Sequence, residues 1–217
     1  HHVNRVVFIK VLHKSLCDAV VRFLPGFDNL SVTLIVRYKA AAVKLRDVSA
    51  LVERIAEERK ALVKAGKLKR DKNESVIFRG ADRLAYETRN GETVCIEDEL
   101  PFKIPETWAW VRLGSICSFV HRGKSPQYSP IKTCPVIAQK CNQWSGFCIE
   151  KAQFIDPKTI SKYAQEQFLH DNDLLWNSTG VGTLGRMAIY KTNLNPYKIA
   201  VADSHVTVIR VLKKFVD

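Results

Sequence analysis

Leu174-Leu175-Trp176-Asn177-Ser178-Thr179-Gly180-Val181-Gly182-Thr183-Leu184-Gly185-Arg186-Met187-Ala188-Ile189-Tyr190 decides the fold, because it has two incompatible readings. In the first, Gly180, Gly182 and Gly185 form a G-x-G-x-x-G phosphate fingerprint after a predicted strand. Asp203, eighteen residues past Gly185, then supplies a ribose-binding carboxylate. That reading needs a helix directly after Gly185, since the pyrophosphate rests on the helix N-terminus. Arg186–Tyr190 reads as a strand instead. The expected unit is therefore strand, glycine-rich turn, strand. Asn177, Ser178, Thr179, Thr183 and Arg186 fill the turn with hydrogen-bonding groups able to meet a phosphate or a base edge. A dinucleotide-binding enzyme using Gly180–Gly185 is the rival reading.

Further strands are predicted at Leu84–Thr88, Thr93–Ile96, Ile116–Val120, Pro135–Gln139 and His205–Val211. Asn90-Gly91 is a turn signal joining the first two as a hairpin. Residues 157–168 begin with Pro157 and carry no helix breaker, which predicts a helix. Residues 47–65 predict a second, amphipathic helix, with Asp47 or Ser49 as cap and Gly66 as stop. Val48, Leu51, Val52, Ile55, Leu62 and Val63 make its apolar stripe, and Glu53, Glu57, Glu58, Arg54, Arg59, Lys60 and Lys64 its solvated faces. Residues 1–46 carry no motif. His1 and His2 read as the end of an expression tag, Val6–Ile9 and Val32–Val36 as possible strands, and Pro25-Gly26 as a turn. The expected class is α/β (α+β): a small mixed, curved β-sheet with flanking helices, preceded by an amphipathic helix. The expected organisation is an N-terminal segment 1–46, a helix and basic tether 47–72, and a domain 73–217.

The chain has 217 residues, 46% apolar and 26% charged, enough to bury a core. Its formal net charge of +12 points to a polyanionic partner, nucleic acid first. Residues 101–217 hold 15 Lys and Arg against 8 Asp and Glu, a stronger basic bias than the 19 against 14 of residues 1–100. The six cysteines form no C-x-x-C pair, which argues against zinc, and free thiols in a cytoplasmic protein are expected. No apolar run reaches the roughly 18–20 residues needed to cross a bilayer.

Other enzyme signatures fail. Gly123-Lys124-Ser125 looks like a P-loop tail, but Ser118 stands where the first glycine belongs and Pro126 opposes a helix. Asn195-Pro196-Tyr197 lacks a second proline and a glycine-rich cofactor loop before it, so a turn is expected. There is no G-x-S-x-G and no H-E-x-x-H. Two polar-aromatic loops are more informative. His121–Tyr128 offers Arg122, Lys124, Ser125, Gln127 and Tyr128, and Gln139–Trp144 offers Gln139, Lys140, Asn142, Gln143 and Trp144. Amides pair bidentately with adenine and Arg or Lys with guanine, while cations fix the register on phosphates.

Three stretches resemble type I restriction–modification specificity subunits. Leu51–Lys67 resembles the helix preceding a recognition domain. Glu99-Leu100-Pro101-Phe102-Lys103-Ile104-Pro105-Glu106-Thr107-Trp108-Ala109-Trp110-Val111-Arg112-Leu113-Gly114 resembles the domain's entry. Asp173–Gly180 with the following glycines resembles its glycine-rich turn. The resemblance covers roughly residues 47–212 and implies a non-catalytic subunit. Each target-recognition domain of such a subunit reads half of a bipartite site in double-stranded DNA, and helices dock modification (methyltransferase) subunits. S-adenosylmethionine, ATP and Mg2+ are expected on the modification and motor-nuclease (restriction) subunits, with no cofactor in this chain. It also implies that the recognition domain is C-terminally incomplete here. A third reading is a subunit-assembly module that meets an acidic partner.

Overall fold

The structure is a computed structural model that describes residues 6–10, 48–70, 74–105 and 108–212. The chain folds as two compact units, one of residues 1–118 with 211–217 and one of Phe119–Arg210.

In the first unit the described elements are β1 (Val6–Lys10), α1 (Val48–Lys64), β2 (Ser75–Arg79), β3 (Ala85–Arg89), β4 (Glu92–Cys95), β5 (Trp108–Arg112) and the single turn α2 (Leu113–Ile116). Helix α1 covers the predicted 47–65, and its stop is a Schellman motif. Gly66, at φ +69, donates to the Val63 carbonyl, and Lys67 to that of Leu62. With α1 opening at Val48, Ser49 lies inside the helix, and Asp47 lies outside the described residues.

The stripe that α1 buries is Leu51, Ile55 and Arg59, spaced four apart. Arg59 thus leaves the solvated face expected for it and donates to the Cys117 carbonyl (2.6 Å). A long aliphatic stem and a carbonyl acceptor at its tip let arginine occupy a core position. That carbonyl's own thiol, Cys117, is fully buried, which pushes it up to about 12.

The Asn90-Gly91 hairpin forms as predicted. Both residues have positive φ (53° and 88°), as a type I′ turn requires, and β3 pairs with β4 from Tyr86↔Cys95 to Arg89↔Glu92. Strand β2, not predicted, completes a three-stranded sheet. The predicted strand Val6–Ile9 is β1, paired antiparallel with β5; Val32–Val36 lies outside the described residues. Trp110 is buried against Ile104 and Phe102 (ring centroids 5.3 Å), so the Pro-Trp-Trp entry stretch builds a small aromatic core.

An ion-pair network ties β3 to β5. Arg112 grips Glu87 with Nε to Oε1 (2.9 Å) and Nη2 to Oε2 (2.5 Å), and Arg89 adds a second cation. Burial by itself would raise the Glu87 carboxyl; the bonds from Arg112 first, then Ser75 and Arg89, outweigh it and hold the group down at about 2.

The second unit carries β6 (Cys117–Arg122), which enters it from Phe119, then β7 (Tyr128–Ser129), β8 (Pro135–Ile137), β9 (Asn142–Gln143), β10 (Gly146–Phe147), β11 (Gln153–Ile155), β12 (Leu174–Asn177), β13 (Met187–Ile189), β14 (Val201–Ala202) and β15 (Val206–Val211). Two four-stranded sheets are built, in orders β13-β12-β15-β6 and β14-β8-β11-β7. The second is mixed, because β14 runs parallel to β8 (Val201↔Val136) while β11 is antiparallel to β8 and β7. The α+β class is thus observed.

Ile137 and Ala202 join Leu175, Val206 and Val208 in one core. Their neighbours Val136 and Val201 face a second core with Cys134 and Ile155, following the strand period of two. The helix predicted over 157–168 is not α-helical. It is two 3-10 turns, Pro157–Lys162 and Gln165–Gln167. Ile160, Tyr163 and Phe168 all pack on the second core from these short turns. Flanking helices are therefore replaced by 3-10 turns in this unit.

Candidate nucleic-acid interface

The glycine-rich stretch is strand, loop, strand. β12 ends at Asn177, the loop takes positive φ at Gly180, Gly182 and Gly185, and β13 follows from Met187. Its anchor is Asn177, fully buried. One amide donates to the Gln139 carbonyl (3.1 Å) and the Thr183 carbonyl (3.2 Å), and its oxygen accepts from Asn142 Nδ2 (2.8 Å). Asn142, also fully buried, donates onward to the Leu175 carbonyl (3.1 Å). Asn142 and Asn177 were expected to touch DNA; the structure makes them the frame that clasps loop 139–144 to loop 177–186. Gln139 adds a bond from its side-chain amide to the Thr179 carbonyl, and Gly180 packs so closely there that a Cβ would strike that amide.

Loop 121–128 reaches the same surface through a turn the sequence reading did not single out, Asp203-Ser204-His205. Arg122 Nε donates to the Ser204 carbonyl (2.7 Å) and Ser125 to Ser204 Oγ (3.3 Å). On the other side of the turn, Thr179 Oγ1 and His205 Nδ1 are 2.7 Å apart, and Ser178 takes the Thr207 hydroxyl (2.7 Å). The signal was present as a polar triplet between the apolar run Ile199–Ala202 and the mostly apolar strand Val206–Val211. Gly123 explains the abandoned P-loop tail. It donates to the Val206 carbonyl (3.0 Å), and a Cβ would lie 2.0 Å from the Ala202 carbonyl oxygen, so close approach requires glycine. Lys124 donates to the Lys162 carbonyl (2.8 Å) over the Tyr163 ring.

The dinucleotide reading finds neither of its parts. A strand stands where its helix belongs, and the Asp203 carboxylate is buried, accepting from the His205 N–H (2.8 Å) and the Tyr128 hydroxyl (3.3 Å). The hydroxyl of Tyr128 is raised by burial and by that carboxylate.

What remains exposed is cationic, with Gln127 as the exposed amide. Arg122, Lys124, Ser125, Gln127, Tyr128, Lys140 and Trp144 are exposed, while Gln139, Gln143, Ser178, Thr179, Thr183 and Arg186 are half-buried. None of the three loop segments contains Asp or Glu. The Arg186 guanidinium lies over the Trp144 ring (5.4 Å), joining loops 139–144 and 177–186 at their outer ends. Among the described residues no helix is long and apolar enough to cross a membrane.

No protein-family model matches the chain. Over 73 residues it is 37% identical to the type I restriction enzyme EcoAI specificity subunit of Escherichia coli. The match takes in 34% of this chain and 9% of that protein, so the chain spans less than a tenth of that relative's length there. In that stretch the chain is similar to a type I restriction specificity subunit, as the resemblance in its sequence implied.

Proposed function

We propose that this chain is a DNA-reading part of a type I restriction–modification specificity subunit. On this reading it recognises one half of a bipartite duplex target and directs adenine methylation or cleavage by partner subunits in the cytoplasm. It performs no chemistry itself; S-adenosylmethionine, ATP and Mg2+ belong to the modification and motor-nuclease subunits. The observation that carries the reading is the joining of three acid-free loops into one cationic, amide-bearing surface, two of them through the Asp203-Ser204-His205 turn and the third through the Asn142–Asn177 clasp. The partial likeness to a specificity subunit supports it.

In this role Arg122, Lys124, Lys140 and Arg186 meet phosphates, and Gln127, Gln143 and the loop hydroxyls face base edges. Asn142 and Asn177 act from beneath by holding the loops. Arg122→Ala, Lys124→Ala and Arg186→Ala are each expected to weaken binding of the assembled complex to DNA and to flatten its salt dependence by about one unit of slope. Unchanged binding and methylation in all three would remove these loops from the interface. Mapping methylated adenines in cells carrying the full system, before and after exchange of this domain, tests the whole reading. A bipartite motif that changes in one half is the expected outcome.

The assembly reading draws on a different feature. An open groove of about 860 Å3 within the first unit is lined by Val52, Ile55, Lys60, Ile77 and Arg112 among others. Binding to a modification subunit, with no DNA contact by this chain in the assembled complex, would select that reading.

A further inference from the structure

Trp144 is out of place for a residue that serves folding. With Ser145 it forms the two-residue tip of the β9–β10 hairpin, whose closing pair is Gln143↔Gly146. Such tips favour small, polar or glycine residues. The residue is 83% exposed, so burial of its ring contributes almost nothing to stability. The ring is held instead by Arg186, which also reaches towards the Gly182 carbonyl (3.5 Å). That contact sets the tip beside the loop carrying Val181 and Leu184, which are 104% and 54% exposed. Neither Gln139–Gly146 nor Asn177–Arg186 contains a carboxylate, and both supply a cation, Lys140 and Arg186.

A planar apolar ring with a guanidinium over one face, in loops that carry no acid, complements a nucleobase attached to its phosphates. The π-face stacks on the base while the cations meet the backbone. An acidic protein would satisfy the cations but leave the bare ring without a matched flat face. We propose that Trp144 is a stacking wedge: it enters the duplex at a weak step and stacks on the base it exposes. Val181 and Leu184 are the apolar residues that fill the gap. The chain then reads DNA partly through how easily a sequence unstacks. This rests on the DNA reading above and assigns the mode of contact.

The test uses the chain, and the complex it assembles into, with three probes: a matched duplex, the same duplex with a single T·T mismatch, and oligothymidine. Unstacking is least costly at a mismatch, so the unaltered protein is expected to prefer the mismatched duplex. Trp144→Ala should lose that preference and bind oligothymidine about tenfold more weakly, with the salt slope on matched duplex unchanged. Trp144→Phe, which keeps a ring, should retain most of the preference. The thermal midpoint of Trp144→Ala should match that of the unaltered protein, since the ring is exposed.

Equal mismatch preference and oligothymidine affinity in Trp144→Ala, with salt-sensitive duplex binding intact, would overturn the wedge and leave the DNA reading standing. Normal DNA binding with lost attachment to a modification subunit would also overturn it, and would assign the tip to a protein contact. No salt-sensitive DNA binding by the unaltered protein, alone or assembled, would overturn the DNA reading and the wedge with it.

Discussion

Asn177 shows how one side chain sets the shape of a surface it never reaches. Its amide group, itself fully buried, uses both donor directions on carbonyls from two loops and its oxygen on the equally buried Asn142. Asn177→Ala removes the side-chain donor from two carbonyls that keep only their backbone donors, the Arg186 and Asn142 N–H groups, and should cost about 1 kcal/mol. Asn177→Asp keeps the shape but, when ionised, can donate to neither carbonyl and buries a charge, so it should cost more than alanine. Denaturant midpoints of the two variants check this ordering; an aspartate variant as stable as the unaltered chain would show that the clasp does not bear on stability. The sequence named Asn177 and Asn142 as polar groups in the right segments. It could not say that they face inward, because alternation along β12 and β9 fixes that only once the sheet partners are known.

Arg210 operates on whole elements. From β15 it makes a bidentate pair with Asp173 (Nε–Oδ1 2.8 Å, Nη2–Oδ2 2.7 Å), bonds to the carbonyls of Glu166 and Phe168, and lies over the Phe119 ring at 5.1 Å. One guanidinium thus fastens β15 to the turn before β12 and to the 3-10 segment, whose short turns have few backbone bonds of their own. Arg210→Ala strands a buried carboxylate and should destabilise the unit by about 3–5 kcal/mol. Arg210→Lys keeps the charge but not the fork, and should recover only part of the loss. Equilibrium unfolding of both variants measures it; a loss under about 1 kcal/mol for alanine would contradict the assignment. Neither this clamp nor the burial of Arg59 was legible, since an arginine reads as solvated until a carbonyl or carboxylate is placed at its tip.

At the scale of the molecule, acid should weaken the first unit through its buried ion pair. Glu87 is held at about 2 against an ordinary 4.5, so its contribution to stability is complete above about pH 4.5 and fades as the pH falls towards 2. The first unit, which contains Glu87, Trp108 and Trp110, should lose stability over that window, and Glu87→Gln should remove this part of the pH dependence. Unfolding midpoints measured across the window check it: parallel pH profiles for the two proteins would mean the Arg112 pair contributes no net stability. The net charge of +12 is the other whole-chain property. It makes any encounter with DNA salt-sensitive but says nothing of which surface is used.

Sequence alone determined what depends on near neighbours. The Asn90-Gly91 hairpin, the Gly66 helix stop, and the strand–glycine loop–strand unit in place of a nucleotide fingerprint all follow from backbone preferences acting over a few residues. The tertiary structure decided what depends on distant partners. It placed the two- and three-residue strands β7, β9, β10, β11 and β14, which are too short to carry a period. It made 157–168 two 3-10 turns whose Ile160, Tyr163 and Phe168 pack on the second core, where helix propensity is weak. It also brought Asp203-Ser204-His205 between two loops lying tens of residues away, a juxtaposition fixed only by the pairing of β14 with β8 and of β15 with β12.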